Sequence, residues 1–167
     1  MTRGERRAII RGTGSSLPAR VLTNADLERM VDTSDEWITS RTGIRERRIA
    51  KDDEYMSQFA TRAAEAALQS AGLVASQVDL IICATVTPDM PIPATACIVQ
   101  DNLGAAGAAA FDLAAGCSGF IYALAVADRF VATGEYGTVL VIRPDMASQT
   151  ITSLRAGGPA IRRTPAT

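Results

Sequence analysis

No histidine occurs in the 167 residues, so the chain holds no imidazole to act as a base, a hydrogen-bond donor or a metal ligand. Cysteine is scarce: Cys83, Cys97 and Cys117 are odd in number, show no close pair spacing and lie in apolar contexts, which indicates neither a disulfide framework nor a zinc site. Aromatic residues make up only 5%. Ala, Val, Ile and Leu take their place, a composition that suits tightly packed α/β layers. An excess of charge of either sign is also lacking. With 17 basic and 18 acidic side chains and a net charge of −1, bulk charge points to no nucleic acid or other polyanion, although a local basic patch stays open. No segment approaches the ~20 apolar residues of a membrane span, and the charged residues up to Arg7 precede no apolar run of signal-peptide length. A soluble, cytoplasmic protein is expected.

What is present is a core of 47% hydrophobic residues arranged in alternating patterns. Ala8 to Gly14 reads as a short opening strand that Pro18 stops from continuing. Leu27, Met30 and Val31 have helical spacing, with Thr23 or Asn24 as N-cap. Thr33-Ser-Asp-Glu36 fits a capping box that opens a second short helix carrying Trp37, Ile38 and Arg41. Arg45-Glu-Arg-Arg48 reads as a solvated turn or edge. Met56, Phe59, Ala60, Ala63, Ala67, Leu68 and Ala71 fall at three- and four-residue steps, so they predict the clearest helix, with Gly72 as its C-cap.

Val78 to Val86 is a nearly continuous apolar run, as in a strand covered on both faces, and puts Cys83 in the core. A proline-rich connection, Thr87 to Pro93, leads into a helix ending at Leu103, in which Cys97 packs. Ala108 to Leu113 predicts a buried strand. Ser118 to Ala132 predicts a helix with Phe120, Ile121, Leu124, Ala125, Ala127 and Val131 towards the core, and Thr138 to Ile142 a last strand. Strands alternating with helices imply a mainly parallel sheet with its site near the carboxyl ends of the strands.

Cys117 sits where the strand pattern gives way to the helical one. Unpaired N–H groups at a helix start favour thiolate over thiol, and Gly116 and Gly119 relieve crowding at a sharp turn. A free cysteine also packs as a small hydrophobe, so residue type and spacing leave nucleophile and core side chain both open.

Several motifs, in order and spacing, carry a resemblance: Thr33-Ser-Asp-Glu-Trp-Ile38, Arg41-Thr-Gly-Ile-Arg-Glu-Arg47, Ala84-Thr-Val-Thr-Pro-Asp89 and Phe111-Asp-Leu-Ala-Ala-Gly-Cys-Ser-Gly-Phe120. Over about residues 8 to 150 the chain resembles the amino-terminal half of β-ketoacyl-acyl carrier protein synthase III. The resemblance implies a thiolase-like fold, an α-β-α-β-α sandwich of two related halves that forms homodimers, of which this chain is one half. It implies that Cys117 takes an acyl group, typically acetyl, from acyl-coenzyme A. The acyl group then passes to the carbanion formed by decarboxylating malonyl-acyl carrier protein, the initiating step of fatty acid synthesis. Acyl-coenzyme A is a substrate, so no cofactor and no metal are implied. Trp37 would stack on the coenzyme A adenine, with Thr33 and Arg41 in the same nucleotide-binding stretch, and Ile92 would border the acyl pocket. A non-catalytic acyl-coenzyme A binding fragment or subunit, or a polyketide or secondary-metabolite condensing enzyme of the same fold, stays open beside this reading.

Two departures qualify it. The family draws a histidine and an asparagine from its second half to stabilise the developing enolate. This chain has no histidine, and its only asparagines, Asn24 and Asn102, lie outside any matching motif. Arg143 stands where the family has a small residue, Arg155 has the wrong surroundings for the adenine-binding arginine, and Gly, Pro, Arg, Ala and Thr dominate the end of the chain. The expectation is one family half over residues 1–151, followed at 152–167 by an unstructured tail arising from a frameshift.

Overall fold

The computed structural model describes residues 7–146, so the expected tail lies outside the described residues. The chain divides into two units: of the described residues, one takes in 7–16 and Tyr55–Asp145, the other Leu17–Glu54 and Met146.

In the smaller unit β1 (Arg20–Thr23) pairs antiparallel with β2 (Glu46–Ile49), Arg20 opposite Ile49 and Thr23 opposite Glu46. The arginine-rich run is therefore an edge strand, one of the two forms expected of it. Between them in sequence come α1 (Asn24–Glu28) and α2 (Asp35–Thr42). Thr23, not Asn24, is the N-cap of α1: its hydroxyl accepts from the Asp26 N–H at 3.2 Å, and the Asp26 carboxylate accepts from the Thr23 N–H at 3.0 Å. The Thr23 hydroxyl and then its backbone N–H hold the Asp26 carboxyl below its usual range. The helix stops at Glu28, short of the expected Val31, and the chain leaves it in a turn in which the N–H groups of Met30 and Val31 share the Leu27 carbonyl. The expected cap at Thr33 is also displaced by one residue. Ser34 is extended and accepts from the Trp37 N–H at 3.0 Å, which places Asp35 and Glu36 in the acidic first turn.

In the larger unit the expected long helix is α3 (Met56–Ala71), closed at Gly72. The Asp89 carboxylate accepts from the N–H groups of Met56 and Ser57 at 2.8 and 3.0 Å, satisfying two of the orphan donors at its start. Then follow β3 (Leu80–Ala84), α4 (Thr95–Leu103), β4 (Ala109–Leu113), α5 (Gly119–Thr133) and β5 (Val139–Ile142). The three strands are parallel in the order β4-β3-β5, with Leu80 opposite both Ala109 and Val139. As the central strand, β3 is buried at every residue, and alternation sends its side chains to two cores. Ile81 and Cys83 join Ala60, Ala64 and Leu68 of α3 and Ala96 and Val99 of α4. Leu80, Ile82 and Ala84 meet Ala123 and Ala127 of α5. Small residues on the helices let these layers approach closely.

Three expectations change. Residues 8–14 join no ladder; they lie along α3, where a Cβ on Gly12 would stand 2.5 Å from the Ala67 carbonyl oxygen and 2.6 Å from the Ala71 nitrogen. That backbone-on-backbone contact takes the place of strand pairing. β4 is an edge strand and only half covered, with Ala109 and Phe111 exposed. On α5 the buried face is Gly119, Ala123 and Ala127, whereas Phe120, Ile121 and Ala125 are exposed. Of the expected core face, Ala127 is buried and Leu124 and Val131 are half-buried, while the bulky Phe120 and Ile121 are not, because small residues fit closest against β3.

A carboxylate also secures α4: Asp112 on β4 accepts from the N–H groups of Thr95 and Ala96, both at 2.8 Å. Asp112→Ala would leave both donors unpaired and is expected to destabilise the unit by about 1–3 kcal/mol, with a smaller loss for Asp112→Asn, which keeps one acceptor oxygen. Urea unfolding measures this, and an unchanged midpoint for Asp112→Ala would refute the assignment.

Candidate active site

Cys117 lies on the turn that connects β4 to α5. β4 ends at Leu113, and residues Gly116–Ser118 form a single tight turn that runs directly into the helix. The turn depends on Gly116, whose φ of 54° is a left-handed conformation that side chains resist. Gly119 is buried, and a Cβ there would lie 3.3 Å from the Ala84 side chain, so the helix start sits tightly on β3. Cys117 itself is free and exposed. In this chain the thiol is not packed in either core cluster.

The other two cysteines differ in kind. Cys83 is fully buried, and burial first, then the charges of Asp112 and Asp89, push its thiol far up from the ordinary range, so it stays protonated. Cys97 is half-buried, with its sulfur 3.8 Å from the Ala110 carbonyl oxygen. Both match the packing expected of them. Ile92 is 87% exposed and precedes a cis peptide bond to Pro93. It belongs to the same unit as Cys117.

Thr33, Trp37 and Arg41 come together in the smaller unit. Asp32, Thr33, Ser34 and Trp37 line a shallow cleft of about 350 Å³. Trp37 is 55% exposed, so it is no core anchor, and the Arg41 guanidinium lies over its ring at 5.0 Å from the centroid. The stacked pair offers an aromatic face and a fixed cation, which suits a planar, negatively charged ligand. Thr33 is a lining residue of that cleft, not the helix cap.

One residue at this site was missed by sequence reasoning. Asn24 is 2% exposed and bonds to Asp35, Thr39, Ile44 and Arg47. In sequence it was an alternative helix cap; its partners lie eleven to twenty-three positions away, so no local pattern marks it. Among the described residues no group of three or more Cys, Asp or Glu side chains is arranged to hold a metal ion, and no helix is long and apolar enough to cross a membrane.

The family model described as 3-oxoacyl-[acyl-carrier-protein (ACP)] synthase III matches residues 111–155, which include the Cys117 turn. The β-ketoacyl-[acyl-carrier-protein] synthase III of Caldanaerobacter subterraneus subsp. tengcongensis is 61% identical over 142 residues, covering 85% of this chain and 43% of that protein. The crystal structure of 3-oxoacyl-[acyl-carrier-protein] synthase III from Aquifex aeolicus superposes with a TM-score of 0.81 at 56% identity, covering 84% of this chain and 45% of that one. A Xanthomonas campestris OleA variant with bound lauric acid and lauroyl-CoA superposes with a TM-score of 0.80 at 26% identity, over 96% of this chain and 50% of the other. The chain thus spans less than half the length of its synthase III relatives, and its α/β layers correspond to part of a thiolase-like structure. Motifs, fold and similarity agree that the chain is similar to a partial span, less than half, of the β-ketoacyl-[acyl-carrier-protein] synthase III proteins.

Proposed function

We propose that this chain carries the acyl-accepting part of a β-ketoacyl-acyl carrier protein synthase III. The observation that carries the reading is Cys117, a free, exposed thiol on the tight turn ahead of a fifteen-residue helix, inside the segment the family model matches. The sulfur attacks the thioester carbonyl of acetyl-coenzyme A, the bond from carbonyl carbon to coenzyme A sulfur breaks, and the departing thiolate takes up the proton that the Cys117 thiol gives up. One thioester replaces another, so the exchange is close to neutral and the acyl group stays reactive. No cofactor takes part, since coenzyme A enters as substrate.

Trp37 and Arg41 serve the nucleotide end, the indole against the adenine and the guanidinium towards phosphate, with Thr33 on the wall of the same cleft. Ile92 borders the acyl chain. In the complete protein the acyl group would pass to the carbanion of malonyl-acyl carrier protein, in a cytoplasmic homodimer. That step develops an enolate and needs hydrogen-bond donors where the charge appears. The 167 residues hold no histidine to supply one.

Incubation with acetyl-coenzyme A followed by intact-mass analysis tests the reading: one acetyl group per chain, mapped to the Cys117 peptide, is expected. Retained coenzyme A binding without an adduct would favour a non-catalytic binder. Added malonyl-acyl carrier protein is expected to yield no ketoacyl product from the 167-residue chain, and a product that depends on Cys117 would refute this division of roles.

A further inference from the structure

We infer that Asn24 is a positioning residue for the nucleotide site, an inference that rests on the reading of Trp37 and Arg41 as that site. Helix α2 carries both side chains, yet Ile38 is its only buried residue, so little apolar area fixes its place. Asn24 supplies what the apolar contact does not. Its Nδ2 donates to Asp35 Oδ1 at 2.7 Å, to the Ile44 carbonyl oxygen at 2.9 Å and, more weakly, to Thr39 Oγ1 at 3.3 Å. Its Oδ1 accepts from the Arg47 guanidinium, and its backbone N–H donates to the Arg45 carbonyl oxygen at 3.2 Å. One buried amide thereby ties the first turn of α2, its middle, the connection that follows it and β2.

The geometry gives these bonds a direction. Asp35 and Thr39 are four residues apart and share one face of α2; Trp37 and Arg41 are also four apart, displaced from the first pair by two. At ~100° per residue, two residues turn the helix by about 200°. Asn24 therefore grips the back of α2, while the opposite face presents the indole and guanidinium to solvent. The amide is also placed between unlike charges, with Asp35 on its donor side and Arg47 on its acceptor side. A carboxylate at position 24 would keep the Arg47 contact but face Asp35 with a like charge. An alanine would leave Asp35, the Ile44 carbonyl and Arg47 all without this partner.

Trp37 is the only tryptophan of the chain, so its fluorescence reports on the site directly. The test titrates the 167-residue chain with coenzyme A, following Trp37 emission. In parallel it measures acetylation of Cys117 by S-acetyl-N-acetylcysteamine, a thioester that has no nucleotide. Asn24→Ala and Asn24→Asp are expected to weaken coenzyme A binding by about tenfold or more, because small displacements of a recognition pair are costly, while acetylation by the short donor stays within about twofold. Asn24→Asp combined with Asp35→Asn restores a donor–acceptor pair at the central contact and is expected to recover part of the lost affinity. Thr39→Val removes the weakest of the Asn24 bonds, together with the 3.2 Å bond that Thr39 Oγ1 donates to Asp35 Oδ1 on the same face, and keeps the chain folded if Asn24→Ala does not; it is expected to cost a smaller, measurable share.

Unchanged coenzyme A affinity in Asn24→Asp and Thr39→Val would overturn the inference while leaving the nucleotide site in place. An equal loss of nucleotide binding and of acetylation by the short donor would also overturn it, reducing Asn24 to a folding role. If the unsubstituted chain shows no response of Trp37 to coenzyme A, the nucleotide reading itself fails and the inference with it.

Discussion

Cys117→Ala is expected to abolish acyl transfer from acetyl-coenzyme A to this chain while leaving its unfolding midpoint unchanged. Both halves of that expectation follow from where the sulfur lies. Its side chain is exposed on the turn at Gly116–Ser118, so truncation opens no cavity and removes no buried contact, and exposed substitutions of this kind fall within about ±0.5 kcal/mol. The other two thiols cannot substitute for it. Cys83 is sealed in the core with its thiol held protonated, and Cys97 is half-buried on α4. Intact-mass analysis of Cys117→Ala, Cys83→Ala and Cys97→Ala separates the three positions. An adduct that survives Cys117→Ala, or one lost only with Cys97→Ala, would place the nucleophile elsewhere. The Gly116 conformation predicts which neighbour matters: a change there disturbs the turn, whereas a change at exposed Ala114 does not.

Ile82→Ala is expected to be the most damaging conservative truncation, with a loss of about 2–5 kcal/mol against the ~5–15 kcal/mol that holds a domain of ordinary stability. Ile82 is fully buried on the α5 side of the central strand. Its neighbours across the layer include Ala123 and Ala127. Alanines have no flexible atoms to fall into the void, so the cavity persists and the loss belongs in the upper part of that range. Ile121→Ala serves as the comparison, since that side chain is 64% exposed on the opposite face of α5 and its truncation is expected to cost less than about 0.5 kcal/mol. Urea midpoints decide between the two. Equal losses would contradict the assignment of the buried face of α5.

The elements themselves were legible wherever the pattern was long and local. The three- and four-residue steps of α3 and the unbroken apolar run of β3 needed only the chain's own neighbours to be read, and both stand where expected. Failures came where a choice depended on something distant. Ala8 to Gly14 has the composition of a strand, but a strand exists only by pairing, and here the backbone rests on α3. On α5 the helical period is clear, yet the bulky Phe120 and Ile121, expected in the core, are exposed. Which stripe is buried depends on the closeness of the opposing β3, and close approach selects Gly119, Ala123 and Ala127. The shift of the α2 cap from Thr33 to Ser34 is a one-residue matter of backbone angle that two adjacent hydroxyl residues cannot decide between themselves.

For the candidate site the division is similar. Residue types and their order already determined that the chain is an α/β protein, that its motifs resemble those of the condensing enzymes, and that Cys117 falls between a strand and a helix, because these are properties of contiguous segments. Only the folded arrangement decided that the Cys117 thiol is exposed while Cys83 is sealed, that Arg41 stacks on Trp37, and that carboxylates such as Asp89 and Asp112 serve as helix anchors. It also decided that Asn24, outwardly a helix-start residue, is the buried clasp behind α2. Burial and hydrogen-bond partnership are relations between residues far apart in the chain, and no window of local sequence contains both members of such a pair.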